Sequence, residues 1–135
     1  DVAEAAVEEV ADVAEAVVEA AADAASPLIA AIAAADLAAG AKVFKKCKAC
    51  HQIDNDKAKV GPSLKGIIGR AAATQPKFKR YSKAMKKSGV TWTEENIAKF
   101  LKKPKKFIKK SKMAFPGLKK QKDIDNVIAY IKSKS

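Results

Sequence analysis

Two cysteines and the only histidine of the 135-residue chain stand together in Cys47-Lys48-Ala49-Cys50-His51. Two thiols at this Cys-x-x-Cys spacing can each add to a vinyl group of one haem, and the adjacent imidazole then faces the iron. The spacing therefore predicts covalent attachment of haem c, with His51 as one axial ligand. The rest of the chain must then supply a pocket and a second axial ligand.

Three other uses of these residues stay open on the motif alone. A structural zinc site usually has four Cys or His ligands, and the chain has two Cys and one His. A thioredoxin-like redox pair follows a strand in a βαβ unit, whereas the flanks of this motif have helical patterns. A plain disulfide between Cys47 and Cys50 is the third alternative.

Charge divides the chain into two parts. The net charge is +12, yet residues 1–40 hold nine of the 15 acidic residues and no Lys or Arg. Residues 41–135 combine 27 basic residues with the remaining six acidic ones, which gives this part a net charge of +21. The change in charge predicts a boundary near residues 36–40, between an acidic arm (1–36) and a basic domain (37–135).

A basic domain predicts acidic partners, of which nucleic acid and anionic membranes are common examples. The sequence has no nucleic-acid-binding signature and only 6% aromatic residues, so nucleic acid is not an expected partner. No stretch is expected to span a bilayer, because Ser26-Pro27 and Asp36 interrupt the best apolar run, residues 24–40. The chain begins at Asp1 without a signal-like leader, so we expect a processed chain whose signal or anchor lay upstream.

Residues 1–25 consist only of Ala, Val, Glu and Asp. Their acidic residues recur at steps of three and four, the spacing of one face of an amphipathic helix. Isolated helices are marginal in water, so a partly helical tether fits this composition equally well. Ser26-Pro27 is expected to end or kink such a helix, because a residue before proline avoids the α region.

Capping residues and apolar spacing predict short helices joined by long loops in the basic part. Asp36 is an expected N-cap for the helix that carries the Cys-x-x-Cys-His motif, and Thr93 is another expected N-cap. The predicted helices cover residues 37–48, 81–88, 94–102 and 123–132, and the predicted loops cover 54–76 and 105–117. No strand alternation persists, so the expected fold is all-α and wraps around a bulky group.

The order of landmarks over residues 37–132 resembles the class I cytochromes c. The landmarks are Gly40, Phe44, Cys47-x-x-Cys50-His51, Gly61-Pro62-Ser63-Leu64, Gly69-Arg70, Tyr81-Ser82, Trp92, Pro104, Lys112-Met113-x-Phe115 and Tyr130. This ordered series is far more specific than the five-residue motif. The resemblance implies the class I cytochrome c fold, with one covalent haem c.

The resemblance assigns roles to individual residues. Cys47 and Cys50 would carry the thioether bonds to the haem. His51 would be the proximal iron ligand and Met113 the distal one. The Pro62 carbonyl would hold the other imidazole nitrogen and so fix the ring orientation.

Further roles concern the haem propionates and the methionine loop. Tyr81 and Trp92 match residues that hydrogen-bond a propionate, and Arg70 matches one that offsets propionate charge. Ser111 stands where the family usually has threonine and keeps the hydroxyl. Met85 replaces a common asparagine beside the haem, which is expected to tune the reduction potential without abolishing ligation.

Ligation by His and Met fills both axial positions, so the expected function is one-electron transfer and not catalysis. The resemblance implies a cytochrome bc complex as donor and a terminal oxidase or photosynthetic reaction centre as acceptor. Lysines are expected to form a docking ring for acidic faces of these partners. They are Lys45, Lys46, Lys48, Lys105, Lys106, Lys109, Lys110, Lys112, Lys119 and Lys120. A small haem c enzyme or sensor with a labile Met ligand is the alternative.

The arm before the haem domain resembles the linker of the membrane-anchored bacterial cytochromes c-y. An anchor upstream of Asp1 would then tether the carrier to the inner membrane. Haem c is attached outside the cytoplasm, so the expected location is the periplasm, with the mitochondrial intermembrane space as the alternative. Two other uses of the arm are docking of its acidic stripe on the lysines and helix-mediated dimerisation.

Overall fold

The computed structural model describes residues 26–134. The helices in this part are α1 (Pro27–Ala33), α2 (Leu37–Lys48), α3 (Lys83–Lys87), α4 (Glu94–Lys102), α5 (Pro104–Phe107) and α6 (Gln121–Ser133). No strand forms within the described range, where one isolated antiparallel bridge joins Ala71 and Thr91. The all-α prediction is confirmed for these residues. The predicted helix or tether over residues 1–25 lies outside them.

Side-chain caps set the starts of the two helices that match their predicted bounds. The Asp36 carboxylate accepts hydrogen bonds from the backbone N–H groups of Ala38 and Ala39, at 2.9 and 3.1 Å. The Thr93 hydroxyl accepts one from the N–H of Asn96, at 3.1 Å. These bonds satisfy donors that have no partner within the first turn of a helix. Both caps were therefore visible in the sequence.

Ser26-Pro27 starts a helix, which the sequence reasoning did not foresee. Ser26 has the extended backbone expected before proline (φ −67°, ψ 150°), and its hydroxyl accepts the N–H of Ile29 at 3.1 Å. Proline fits the first turn of a helix because its missing N–H would have no partner there. Helix α1 packs against α4 and α6, and Ile32 is buried. Residues before the predicted boundary therefore contribute to the core.

Two other elements differ from their predicted bounds. Helix α3 begins only after Ser82, whose hydroxyl accepts the N–H of Met85 at 3.1 Å. Pro104 follows the end of α4, as expected, but also begins the short helix α5 within the predicted loop. Both differences reflect caps and prolines that act at the start of a helix as well as at its end.

The main packing contact is the crossing of α2 and α6. A Cβ atom at Gly40 would overlap the carbonyl oxygen of Asn126, so only glycine permits this close approach. The Phe44 ring packs against Tyr130 with ring centroids 5.4 Å apart. The Asn126 side chain accepts the N–H of Asp36 at 3.0 Å. The crossing thereby fixes α2, whose last turn presents the two cysteines.

Apolar residues on one face of α6 form the centre of the core. Ile124, Val127 and Ile128 are fully buried, in agreement with the apolar spacing of the sequence. No single helix within residues 26–134 has both the length and the hydropathy needed to cross a bilayer. Helices α1 and α2 reach this length and hydropathy only when they are taken together, and a bend of 102° separates them.

Candidate haem-binding site

The Cys-x-x-Cys-His motif forms a compact turn at the end of α2. The backbone N–H groups of Cys50 and His51 both donate to the carbonyl of Cys47, at 3.0 and 2.9 Å. Both cysteines are free thiols and are half-buried. The structure therefore contains no disulfide between Cys47 and Cys50, and both thiols can bond to a ligand.

The environment of the thiols also disfavours the other two alternatives. Burial, reinforced by the neighbouring Cys50, raises the pKa of the Cys47 thiol to about 11. Redox-active cysteines have lowered pKa values, because the thiolate is the nucleophile. The described residues contain no group of three His, Cys, Asp or Glu that could hold a metal ion, as a zinc site would need.

In His51 one ring nitrogen is hydrogen-bonded and the other is free to bind iron. Its Nδ1 lies 2.7 Å from the carbonyl oxygen of Pro62. A carbonyl only accepts hydrogen bonds, so Nδ1 carries the hydrogen and Nε2 keeps its lone pair. Burial lowers the pKa of His51 against the opposing effect of the Pro62 hydrogen bond. A neutral imidazole with a free Nε2 is the form that binds a metal.

Gly61 contacts the site, although in the sequence it was only a turn residue and a landmark of the family series, without a role of its own. Its N–H donates to the carbonyl of Cys50 at 2.7 Å. A Cβ atom at this position would lie 2.5 Å from Cε1 of His51, so a larger residue would displace the imidazole. The signal in the sequence was the Gly-Pro pair, which marks a turn but not its contact with the ring.

A second group of predicted residues meets where two extended segments run side by side. The N–H of Trp92 donates to the carbonyl of Arg70 at 2.8 Å, and the N–H of Gly69 donates to the carbonyl of Trp92, also at 2.8 Å. Trp92 is buried, and its ring packs edge-on against Phe100 with ring centroids 5.1 Å apart. The tryptophan and the arginine are thereby held on adjacent backbones.

Arg70 contributes a buried donor that lacks an acceptor. Its Nη2 donates to the carbonyl of Lys65 at 2.9 Å. Its Nη1 is buried and has no hydrogen-bond partner among the described residues. Buried polar groups in folded proteins are almost always hydrogen-bonded, so this nitrogen points to an acceptor supplied by a bound group.

Tyr81 contributes a second donor next to Arg70. Its hydroxyl oxygen accepts the N–H of Gln75 at 3.2 Å, which leaves the hydroxyl hydrogen to donate elsewhere. Burial raises the pKa of Tyr81, and the hydrogen bond from Gln75 and the charge of Arg70 both oppose this shift. Gln75 is buried and was not identified from the sequence. An unpaired guanidinium nitrogen and a free hydroxyl hydrogen suit a carboxylate such as a haem propionate, so these residues fit the predicted cofactor.

The third group is the loop that carries Met113. Ser111 is buried, and its hydroxyl accepts the N–H of Met113 at 3.3 Å. Met113 is half-buried and packs against the core cluster that Cys47 also borders. The structure thus brings the predicted residues together in three groups: Cys47, Cys50, His51 and Pro62; Arg70, Tyr81 and Trp92; Ser111 and Met113.

Comparisons with known proteins identify the family. The family model "Cytochrome c" matches residues 37–135. Cytochrome c2 of Afifella marina is 46% identical over 101 residues, which cover 72% of this chain and 81% of that protein. Cytochrome c2 of Blastochloris viridis is also 46% identical over 101 residues, covering 74% of this chain and 79% of the relative.

A solved structure shows the same fold. Cytochrome cH from Methylobacterium extorquens matches with a TM-score of 0.68 and 44% identity, over 73% of this chain and 98% of that one. The predicted class I cytochrome c fold and the predicted covalent haem c are confirmed by these matches. The chain belongs to the cytochrome c family, as an electron-carrying class I c-type cytochrome with one haem c.

Proposed function

We propose that the chain carries single electrons through a haem bound by Cys47 and Cys50, with His51 and Met113 as its axial ligands. The observation that carries the proposal is the His51 geometry, in which Nδ1 is fixed by Pro62 at 2.7 Å. This contact orients the ring and leaves Nε2 as the only nitrogen for the iron. Haem c supplies a one-electron iron couple when bound.

The thioether of Met113 is the ligand that suits this use. Ser111 fixes the methionine backbone, and the partial burial of the loop restricts access of water to the sulfur. A soft thioether favours ferrous iron and therefore raises the reduction potential. Together, His51 and Met113 would leave the iron no open coordination position for a substrate, which supports a carrier and not an enzyme.

Arg70, Tyr81 and Trp92 are proposed to bind the haem propionates. The buried Nη1 of Arg70 gains an acceptor in this arrangement, and its charge offsets that of the carboxylate. The hydroxyl of Tyr81 donates while its oxygen stays bound to the N–H of Gln75. Held in this way, the propionates would fix the orientation of the haem in its pocket.

The exposed lysines beside the ligands are proposed to dock the carrier on redox partners. The ten lysines of the predicted docking ring are all exposed. Positive charge at this density attracts acidic surfaces and raises association rates more than affinity, an effect that salt weakens. We propose a cytochrome bc complex as donor, and a terminal oxidase or photosynthetic reaction centre as acceptor.

The division into an arm (1–36) and a haem domain (37–135) is also proposed to bear on location. The periplasm suits a carrier of this family, and the mitochondrial intermembrane space is the alternative. The acidic composition of the arm supports a linker of the cytochrome c-y type, which would follow an anchor in the inner membrane. A linker holds a carrier near its partners at high effective concentration.

The distal ligand can be tested by replacing each of the two methionines in turn. We expect Met113→Ala to remove the weak sulfur-to-iron charge-transfer band of the ferric protein and to let added imidazole bind the iron. Met85→Leu is the matched control and should keep the band. An unchanged spectrum in Met113→Ala would refute the ligand assignment, and a high-spin ferric wild-type protein without the band would favour the enzyme or sensor alternative.

A further inference from the structure

A surface groove of about 510 Å³ lies beside the Met113 loop. Ala114, Phe115 and Pro116 contribute apolar surface to it, and Lys103, Lys105 and Lys106 contribute positive charge. The three lysines are exposed, and none forms an ion pair with another residue in the described part of the chain. The groove therefore suits a ligand that is both anionic and apolar.

The N-terminal segment of the same chain has this composition. Residues 1–25 contain eight acidic residues, no basic residue, and otherwise only alanine and valine. The remaining acidic residues of the chain are scattered singly or in pairs among 27 basic ones. Residues 1–25 are thus the part of the chain whose charge and apolar content complement the groove.

The point of attachment places this segment within reach of the groove. Residues 1–25 join the domain at Ser26, where α1 begins, and α1 packs against α4. Helix α4 ends at Lys102, one residue before the groove-lining Lys103. A segment of 25 residues spans roughly 25–30 Å as a random coil and about 37 Å as a helix. Fully extended, the 25 residues reach roughly 80 Å, more than twice the diameter of a domain of this size, which is about 35 Å for a radius of gyration of about 13 Å.

We propose that residues 1–25 bind the groove of their own molecule. Carboxylates of the segment pair with Lys103, Lys105 and Lys106, and its valines cover Phe115 and Pro116. Linkage within one chain gives a millimolar effective concentration, so weak contacts suffice at low salt. The bound segment also competes with acidic partners for Lys105 and Lys106. Only this consequence depends on the proposed function.

The test places a nitroxide on Val13→Cys in the full ¹⁵N-labelled haem protein. The ferrous form is suitable because low-spin ferrous iron is diamagnetic. At about 10 mM ionic strength we expect the amide signals of Lys105, Lys106 and Phe115 to lose most of their intensity, independently of protein concentration. At an ionic strength of about 1 M the Debye length is only about 3 Å, so the attraction is screened and the intensities should recover.

Two matched variants separate the groove from net charge. Lys103→Gln, Lys105→Gln and Lys106→Gln together should abolish the intensity loss. Lys83→Gln, Lys86→Gln and Lys87→Gln remove the same charge from exposed lysines that do not line the groove, and should preserve the loss. Equal effects of the two variants would overturn the proposal, because the segment would then respond only to net charge.

Three further outcomes also contradict the proposal. Intensity loss that grows with protein concentration indicates binding to a second copy of the chain. Loss at amides remote from the groove indicates another site. Absence of any loss indicates a segment that acts only as a tether. None of these measurements needs a redox partner, so they stand or fall separately from the proposed carrier function.

Discussion

The α2–α6 crossing and the loops around the haem site differ in how completely the polypeptide satisfies its own groups. In the crossing, Val127 and Ile128 are fully buried, and the side chain of Asn126 accepts the N–H of Asp36. In the loops, Nη1 of Arg70 is buried without an acceptor among the described residues. In the first region the polar groups named here have hydrogen-bond partners within the protein, whereas the second region has a buried donor without one.

The difference supports the proposal that the loops form one half of an interface whose other half is the haem. Nη1 of Arg70 has no acceptor among the described residues. In the proposed site this nitrogen, Nε2 of His51 and the hydroxyl hydrogen of Tyr81 would each pair with the cofactor. Buried groups without partners destabilise a fold. Loop stability should therefore depend on the haem far more than does the stability of the crossing.

The largest effect is expected from removing the haem attachment. Cys47→Ser with Cys50→Ser should yield a chain without covalent haem, because a serine hydroxyl does not form the thioether. We expect hydrogen-exchange protection to vanish in the loops, while amides of Val127 and Ile128 keep measurable protection. Extraction with acidified organic solvent removes haem that is not covalently bound, so the absorbance that stays with the protein measures the covalent haem. Native-like burial of Trp92 in the haem-free chain would contradict the comparison.

Breaking the crossing itself should have the next largest effect. Gly40→Ala places a methyl group against the carbonyl of Asn126, and overpacking of this kind costs about 3 kcal/mol or more where backbone must move. Guanidinium unfolding of the haem protein measures the loss. Gly89→Ala is the control, because its Cβ meets no neighbour and its positive φ of 66° alone costs about 1–2 kcal/mol. Equal losses would show that the crossing accommodates a methyl group at no greater cost than that of a positive φ, and would contradict the close approach of α2 and α6.

The parts of the fold that could be predicted from the sequence are those determined within one turn of chain. Asp36 and Thr93 cap their helices through hydrogen bonds to residues two or three positions away, so local chemistry was sufficient. Helix α1 could not be predicted in this way, because a seven-residue helix depends on packing against distant elements. Ser26-Pro27 is compatible with a stop and with a start, and only tertiary contact decides between them.

The site shows the same division between local and distant determinants. The spacing of Cys47 and Cys50 indicates its chemistry directly, whereas Met113 could be singled out only through the ordered resemblance to a family. Gly61 was recognised only as a landmark and Gln75 not at all. The contact of Gly61 with an imidazole and that of Gln75 with a phenol both depend on loop folding. Neither residue type has a chemical signature that would mark it as part of a haem site.

A smaller effect is expected from Arg70→Leu, which removes the unpaired buried donor. Loss of a cation near the haem should stabilise the ferric state and lower the reduction potential, by about 60 mV for each tenfold change in the one-electron equilibrium. Arg80→Leu is the matched control, because this arginine is exposed: among the described residues it donates to the carbonyl of Lys59 at 3.2 Å and lies over the Phe78 ring, 5.9 Å from its centroid. Equal potentials in the two variants would place Arg70 away from the propionates and weaken the view of the loops as an interface.

The smallest effect is expected at an exposed ion pair within the long segment between α2 and α3. Lys77 Nζ lies 3.2 Å from an oxygen of Asp56, and this hydrogen bond lowers the pKa of Asp56 below its usual 3.8. A lowered carboxyl pKa stabilises the fold above the usual value, and the contribution disappears as the pH falls through the folded-state pKa. Asp56→Asn should therefore lower the unfolding midpoint only slightly at pH 7, and not at all once the carboxylate is protonated.

Lys77→Gln should reproduce this small loss, and the double variant should lose no more than either single one, since both remove the same pair. The loss should also shrink in high salt, because exposed ion pairs are screened. A large loss in Asp56→Asn would mean that side-chain pairing holds these loops in place. A small loss of stability in Asp56→Asn, compared with the large loss of loop structure expected without haem, would mean that the cofactor and not this ion pair holds the loops in place.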